Sequence, residues 1–212
     1  MKKYVAEFIG TFAVVFCGTG AVVINEVLPG SVSHAGIAIT FGLIVMAMIY
    51  AVGGISGAHM NPAVTIAFAI DGSFKWPQTI PYILSQLAGA TVASFILKFL
   101  FPASLYLGAT LPSGSPLQSF VLEIILTFLL MFVILQVATG AKEQGMFAGM
   151  AIGAVVLLEA MFAGPVSGAS MNPARSIGPA LASNYFQHLW VYVSAPVMGA
   201  SLAVVLYRYL KS

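Results

Sequence analysis

The stretch Gly-Ala-His-Met-Asn-Pro-Ala at positions 57–63 returns as Gly-Ala-Ser-Met-Asn-Pro-Ala at positions 168–174. In each copy, Asn followed by Pro offers a helix start, because Asn is a good N-cap and Pro, which lacks an N–H, suits the first helical position. Each copy follows an apolar run and precedes an apolar stretch that is too short to cross a bilayer. The sequence therefore predicts two short helices that begin inside a membrane.

The composition is that of an integral membrane protein. Of the 212 residues, 60% are hydrophobic and 7% are charged, whereas ordinary soluble domains carry about 25% charged residues. Only helices and closed barrels satisfy every backbone polar group in lipid, and these long apolar runs do not alternate as barrel strands do. An all-α membrane protein is expected. The net charge of +2 and the lack of a basic cluster argue against a nucleic-acid partner.

Six apolar segments are each close to the ~20 residues that a helix needs to span a bilayer. They lie at residues 4–27, 34–52, 78–101, 117–139, 146–163 and 188–210. About ten helix-compatible residues follow each Asn-Pro-Ala, which is about half a membrane at a rise of 1.5 Å per residue. The prediction is six transmembrane helices plus two re-entrant half-helices.

The basic residues predict the orientation, because cytoplasmic loops carry an excess of Lys and Arg. With a cytoplasmic N-terminus, both termini lie on the cytoplasmic side of a plasma membrane and the linker 102–116 is extracellular. Only Lys98 then falls outside, while Arg175 lies where no loop is expected. Six basic residues fall on the cytoplasmic side, namely Lys2, Lys3, Lys75, Lys142, Arg208 and Lys211.

An internal repeat divides the chain into halves at about 1–101 and 117–212. Glu7, near the start of the first half, recurs as Glu123 in the second half. Because each half has three spans, an odd number, the second copy enters from the opposite face and the repeat is inverted. We expect a single domain over residues 1–212, with its site near the midplane where the half-helices meet.

On these residues the chain resembles the aquaporin and aquaglyceroporin family over essentially its whole length. The resemblance is carried by paired Asn-Pro-Ala motifs about 110 residues apart, the Ser-Gly-Ala before each, the repeated Glu and the Arg-Ser after the second motif. One Asn-Pro-Ala is a weak signal, but two in opposed copies within six apolar segments are specific. The resemblance implies the aquaporin fold, a passive channel for water and small uncharged solutes, and a homotetramer with one pore per subunit.

Two half-helices that enter from opposite sides would place their N-termini face to face. Each N-terminus carries roughly half a positive elementary charge, so the pair repels cations and H₃O⁺ without blocking a neutral solute. We expect the Asn amides also to donate hydrogen bonds into the pore and to interrupt a proton-conducting chain of water. The alternative is that they only cap their helices. The predicted motif residues are Asn61, Pro62, Ala63, Asn172, Pro173 and Ala174.

The segments ahead of the caps are expected to present backbone carbonyls along the pore. Their buried N–H groups need acceptors, and Glu7 and Glu123 are favoured for that role over proton transfer. The His59 side chain is interpreted as a hydrogen-bonded wall residue, with a pH-sensitive gate as the alternative. The predicted carbonyls are those of Gly57, Ala58, His59, Gly168, Ala169 and Ser170.

The family resemblance also places an outer constriction at Phe41, Ala160, Ala169 and Arg175. Strict water channels typically place a His at the position of Ala160, and glycerol facilitators carry a Trp and Phe pair, so the two alanines predict a wider and less polar constriction. The pattern is nearest to that of plant nodulin-like intrinsic proteins and their bacterial relatives, which pass glycerol, urea-sized solutes or uncharged metalloid acids as well as water. Arg175, a permanently charged fork of donors, would bind solute and add to the cation barrier.

The rival function is a secondary transporter, since transporters share inverted repeats and broken helices. A transporter is expected to bind a coupling ion or charged substrate, yet the positive helix ends oppose cations and no second charge joins Arg175. An enzyme is disfavoured because no His, Asp and Glu cluster resembles a metal site or a catalytic dyad, and neither cofactor nor metal is expected. Glu159 would either hold the loop of Arg175 or face a neighbouring subunit.

Overall fold

The structure is a computed structural model that describes residues 1–138 and 146–211. Two residues used in the sequence interpretation, Thr139 and Lys142, lie outside the described residues. Regular structure in the described ranges is helical throughout. The helices are α1 (Lys2–Val27, with a π-helical stretch at Val14–Thr19), α2 (Ser33–Ser56), α3 (Pro62–Asp71), α4 (Trp76–Leu100), α5 (Pro116–Ala138), α6 (Ala148–Ser167), α7 (Pro173–Ser183) and α8 (Leu189–Lys211).

The helix lengths agree with the prediction of six spans and two half-helices. Within the described residues, α1, α2, α4, α5, α6 and α8 are each long and apolar enough to cross a membrane. In contrast, α3 has 10 residues and α7 has 11. At 1.5 Å per residue these two extend about 15 Å, half of the ~30 Å hydrocarbon core. The predicted fold class is therefore confirmed.

Helices α2 and α6 continue beyond residues 52 and 163, where the sequence predicted their ends. Each ends instead at a glycine, Gly57 or Gly168, with φ of 86° and 84°. The N–H of Gly57 donates to the carbonyl of Gly53 and the N–H of Gly168 to that of Gly164, both at 2.9 Å. Glycine adopts this left-handed conformation without steric cost, which makes it the usual residue after a helix C-terminus.

Pro165 lies inside α6 without ending the helix. It has no N–H to donate to the carbonyl of Met161, four residues earlier, so a proline in a helix normally leaves that oxygen unpaired. Here the His34 Nε2 atom, at the start of α2, lies 2.6 Å from the Met161 oxygen. The proline is tolerated inside α6 because a neighbouring span supplies a partner for the Met161 carbonyl.

The two half-helices run from the middle of the bundle to opposite faces. We call the face with both chain termini the terminus face, and the face with the segment between α4 and α5 the linker face. Near the end of α8, at the terminus face, Arg208 donates to the Ile70 carbonyl of α3 at 2.5 Å. Near the end of α4, at the linker face, Lys98 donates to the Ala182 carbonyl of α7 at 2.7 Å. Each half of the chain thus supplies a cation to the half-helix of the other half, at the end where the helix dipole is negative.

Glycines bring the spans of each half into close contact. A Cβ atom added to Gly89 of α4 would lie 2.3 Å from the Phe8 carbonyl oxygen of α1. The corresponding position in the second half is Gly199 of α8, where a Cβ would lie 2.2 Å from the Ile124 carbonyl oxygen of α5. Small residues at such crossings let membrane helices approach backbone to backbone. The same close crossing therefore occurs in both halves of the inverted repeat.

Candidate pore and constriction

A cavity lies where the half-helices α3 and α7 meet. Part of its lining is polar, with the two segments that precede the half-helices and the side chains of Asn61, Asn172 and Arg175. Polar and apolar groups thus line the same cavity. The apolar part comes from α2, α5 and α6, with Val45, Ile49, Leu130, Ile134, Ile152 and Val156.

The Asn side chains cap the half-helices. Asn61 has extended backbone dihedral angles, and its Oδ1 accepts from the N–H of Ala63 at 2.9 Å. Asn172 is arranged in the same way and accepts from the N–H of Ala174 at 3.0 Å. A proline follows each Asn as the first helical residue. The helix starts expected from the sequence are formed as predicted.

The Asn amide nitrogens hold the two half-helices end to end. Asn61 Nδ2 donates to the carbonyl of Met171 at 2.7 Å, and Asn172 Nδ2 donates to the carbonyl of Met60 at 2.9 Å. Each contact joins one half of the chain to the other. A side-chain amide has two N–H donors, so each Asn retains one beyond this contact, and both residues line the cavity.

A buried glutamate holds the segment ahead of each half-helix. Glu7 accepts from the N–H of His59 at 2.9 Å, from the N–H of Met60 at 2.7 Å and from the Ser56 hydroxyl at 2.7 Å. Its side chain is fully buried. Because a buried N–H without an acceptor is costly, this carboxyl group stabilises a backbone that cannot pair within a helix.

The second half repeats this arrangement. Glu123 accepts from the N–H of Ser170 at 2.9 Å, from the N–H of Met171 at 2.8 Å and from the Ser167 hydroxyl at 2.7 Å. It is also fully buried. The two glutamates therefore do the same structural work in two copies that enter from opposite faces.

These contacts fix the direction of the backbone carbonyls. In a trans peptide the N–H and the preceding C=O point opposite ways. The N–H groups of His59 and Met60 point to Glu7, so the carbonyls of Ala58 and His59 point away from it. Among the six residues predicted to present carbonyls, five line the cavity, namely Gly57, Ala58, His59, Ala169 and Ser170, whereas Gly168 is not among the lining residues.

Both segments hold non-glycine residues in the left-handed region of φ and ψ. The φ angles are 48° at Ala58, 50° at Met60, 40° at Ala169 and 54° at Met171. Such conformations cost free energy and persist where the surroundings over-determine them, often at functional sites. Here the over-determination comes from the buried glutamates and the crossed Asn contacts.

The four residues predicted for the constriction all line this cavity, towards the linker face. The guanidinium carbon of Arg175 lies 5.3 Å from the ring centroid of Phe41. Arg175 Nη1 donates to the carbonyl of Gly108 at 2.8 Å. The side chains of Ala160 and Ala169 are methyl groups. Gly108 was not identified from the sequence, because it acts through its backbone.

The linker after α4 is folded against the bundle. Glu26, at the end of α1, accepts from the Ser104 hydroxyl at 2.6 Å and from the N–H of Leu105 at 3.1 Å. Further along, the Thr110 hydroxyl donates to Ser176 of α7 at 2.8 Å. These contacts fix the linker on both sides of the carbonyl that receives Arg175. The Pro, Ser and Gly residues of this stretch indicated only a loop.

His59 is packed among aromatic rings. Its ring centroid lies 4.8 Å from that of Phe68, 4.9 Å from that of Phe74 and 5.2 Å from that of Tyr82. Its Nδ1 atom lies 3.2 Å from the Thr65 hydroxyl. These contacts support the interpretation of His59 as a hydrogen-bonded wall residue.

Glu159 is buried next to Ala160, and only 1% of it is exposed. Within the described part of the chain, no donor reaches either of its carboxyl oxygens. The single chain buries this side chain, which argues against the expectation that it faces a neighbouring subunit, and it makes no hydrogen bond to the loop of Arg175. Among the described residues, no three His, Cys, Asp or Glu side chains are grouped as a metal ion would require.

Comparisons with known proteins agree with this fold. The sequence model of the family described as major intrinsic protein matches residues 1–207. The chain is 51% identical over 212 residues to aquaporin NIP1-1 of Zea mays, covering 100% of this chain and 75% of that one. It is 50% identical to a probable NIP-type aquaporin of Nicotiana alata, covering 100% and 78%. The X-ray structure of the aquaglyceroporin from Plasmodium falciparum matches with a TM-score of 0.87 and 25% identity, over 97% of this chain and 94% of that one.

Proposed function

The chain belongs to the major intrinsic protein family and is a membrane channel for water and small uncharged solutes, and we propose that the cavity between its half-helices is the conducting pore. The resemblance seen in the paired motifs is confirmed, and several of the similar proteins are NIP-type aquaporins. Membership of this family points to a channel rather than an enzyme.

The observation that carries the proposal is the pair of crossed contacts between the half-helices. The bonds from Asn61 to Met171 and from Asn172 to Met60 bring two helix N-termini together beside one cavity. Their partial positive charges oppose a cation or H₃O⁺, while a neutral solute passes. The remaining N–H of each Asn then donates to the oxygen of a passing water, which prevents that water from relaying a proton.

We propose that Phe41, Ala160, Ala169 and Arg175 select the solute. The two methyl groups leave space that a larger side chain would fill, and Arg175 supplies fixed donors. Glycerol, urea and boric acid each combine hydrogen-bonding groups with a less polar part or face. Such solutes match a lining that has both carbonyl acceptors and aliphatic side chains. The proposed solutes are therefore water, glycerol, urea-sized molecules and uncharged metalloid acids.

Stopped-flow light scattering on proteoliposomes tests this proposal with water, urea, glycerol and boric acid as probes, against liposomes without protein. We expect all four to permeate faster than through the control membrane, with a weak temperature dependence and no need for an ion gradient. Conduction of water with exclusion of glycerol and boric acid would refute the proposed solute range. Saturation, a steep temperature dependence or a required ion gradient would instead favour a secondary transporter.

We also propose one channel domain, with halves 1–101 and 117–212 joined by an extracellular linker, 102–116. Lys98 and Arg208 each donate a hydrogen bond to the half-helix of the other half, which supports a single unit. The excess of basic residues at the terminus face supports cytoplasmic termini in a plasma membrane. The family resemblance supports a homotetramer. Native mass spectrometry measures the number of 22.2 kDa subunits, and reporter fusions at each terminus determine the orientation.

A further inference from the structure

Gly18 lies in the π-helical stretch of α1, directly against the ring of Phe41. A Cβ atom added to Gly18 would lie 2.3 Å from Cε1, 2.4 Å from Cδ1 and 2.8 Å from Cζ of that ring. Gly18 is buried and is not among the residues that line the cavity. The ring therefore packs directly on the backbone of Gly18. Any side chain at this position would force the ring or α1 to move.

The Phe41 ring also borders the constriction. Phe41 lines the cavity, and its ring centroid lies 5.3 Å from the guanidinium carbon of Arg175. Carbon atoms in contact normally lie about 3.5–4.0 Å apart, so an added Cβ requires the ring to move by about 1.2 Å or more. The backbone of α1 blocks movement towards Gly18, whereas the cavity that Phe41 lines offers space.

We propose that Gly18 is a positioning residue for the selectivity of this channel. By carrying no side chain, it lets the Phe41 ring lie back against α1 and so sets the free width beside Arg175. The π-helical stretch fits this role, since such local widenings of a helix are frequent at functional sites. The inference rests on the proposed filter, which it deepens by assigning part of the pore width to a residue outside the cavity.

The test compares Gly18→Ala with Gly53→Ala in proteoliposomes. Gly53 is a matched control, because it is also a helical glycine but an added Cβ there meets nothing within 4 Å. For each variant, permeability to water, urea, glycerol and boric acid is measured per folded channel. For the largest solute that the wild type conducts, we expect Gly18→Ala to lower the ratio of solute to water permeability at least fivefold, and Gly53→Ala to stay within twofold. A wild-type ratio in Gly18→Ala would overturn the proposal.

A second pair of variants separates the ring contact from a general disturbance of α1. Leucine lacks the Cε1 and Cζ atoms, and rotation about its side-chain bonds can turn its Cδ atoms away from the added Cβ. Gly18→Ala combined with Phe41→Leu should therefore have the same ratio, within twofold, as Phe41→Leu alone. An equal loss of solute permeability without the ring would contradict the proposal. If Gly18→Ala fails to fold while the double variant folds, the ring does not yield towards the pore, and the proposal is wrong.

The same measurements distinguish failure of this inference from failure of the proposed function. If Phe41→Leu leaves the ratio of solute to water permeability unchanged, Phe41 is not part of the filter and the proposed filter fails. If Phe41→Leu changes the ratio but Gly18→Ala does not, the filter stands and only the role of Gly18 fails.

Discussion

Replacing Glu123 with Gln tests whether the buried carboxyl groups hold the segments that enter the membrane. Glu123 accepts three hydrogen bonds, two at Oε1 and one at Oε2. A glutamine keeps one acceptor oxygen for Ser167 and Ser170 but turns an N–H donor towards the N–H of Met171. One buried amide then has no acceptor, which costs about 1–3 kcal/mol. For a chain of this length that corresponds to a fall of about 5 °C in the apparent Tm.

The substitution should also affect conduction, because the affected segment holds the opposite half-helix. The carbonyl of Met171 receives the Asn61 amide at 2.7 Å. A shift of Met171 away from position 123 therefore weakens the contact that keeps Asn61 in place. We expect the water permeability per folded channel to fall together with the apparent Tm.

The assay is thermal unfolding of the purified channel in detergent, followed by stopped-flow water permeability of the same preparation. Glu26→Gln is the control, since Glu26 is exposed. Water can replace the acceptor that the Ser104 hydroxyl or the Leu105 N–H loses. A surface change of this kind should stay within about 0.5 kcal/mol. If Glu123→Gln melts and conducts like the wild type, the two segments do not depend on their buried acceptors and this reasoning is refuted.

Three further substitutions test other parts of the site. Ala160→His should narrow the constriction and lower the ratio of glycerol to water permeability in proteoliposomes; an unchanged ratio would exclude Ala160 from the filter. Lys98→Met removes the cation at the end of α7 and should cost about 0.3–1 kcal/mol in thermal unfolding, whereas Lys98→Arg should retain most of it; equal melting of both would contradict the cap. Arg175→Ala removes the charge and leaves the Gly108 carbonyl without its donor, so it should raise the proton leak, which is measured with a pH-sensitive dye. If Arg175→Lys leaks protons as fast as Arg175→Ala, the charge at this position is not the barrier.

The sequence predicted the parts of the fold that depend on local or repeated patterns. Apolar runs of membrane length identify the spans, and the order Asn-Pro marks a helix start whether or not it lies in lipid. Glu7 and Glu123 were predictable because two carboxyl groups at matching positions in an inverted repeat need a shared structural reason. The constriction residues came from the family resemblance, since no local pattern marks Phe41 or Ala160.

What the sequence did not predict depends on backbone groups and on contacts between distant segments. Gly108 acts through a carbonyl that every residue has, so no side chain identifies it. The Met161 carbonyl, which Pro165 leaves without a helical donor, has its partner, His34, on another span, and no local pattern shows that contact. The π-helical stretch has no distinct sequence pattern, and the closeness of Gly18 to Phe41 is visible only once α1 and α2 are packed.

The hydrogen bonds at the centre join the two halves into one mechanical unit. Each glutamate holds the segment of its own half, and each Asn amide then reaches from its own half-helix to a methionine carbonyl of the other segment. Neither half can therefore move its half-helix without loosening a contact of its partner. A channel that must keep two helix ends opposed in lipid needs this reciprocity, because a displacement of either end would weaken the positive potential that excludes cations. In the proposed filter, selection of the solute is separate, since the constriction is formed by Arg175, the linker and the Phe41 ring rather than by the crossed contacts.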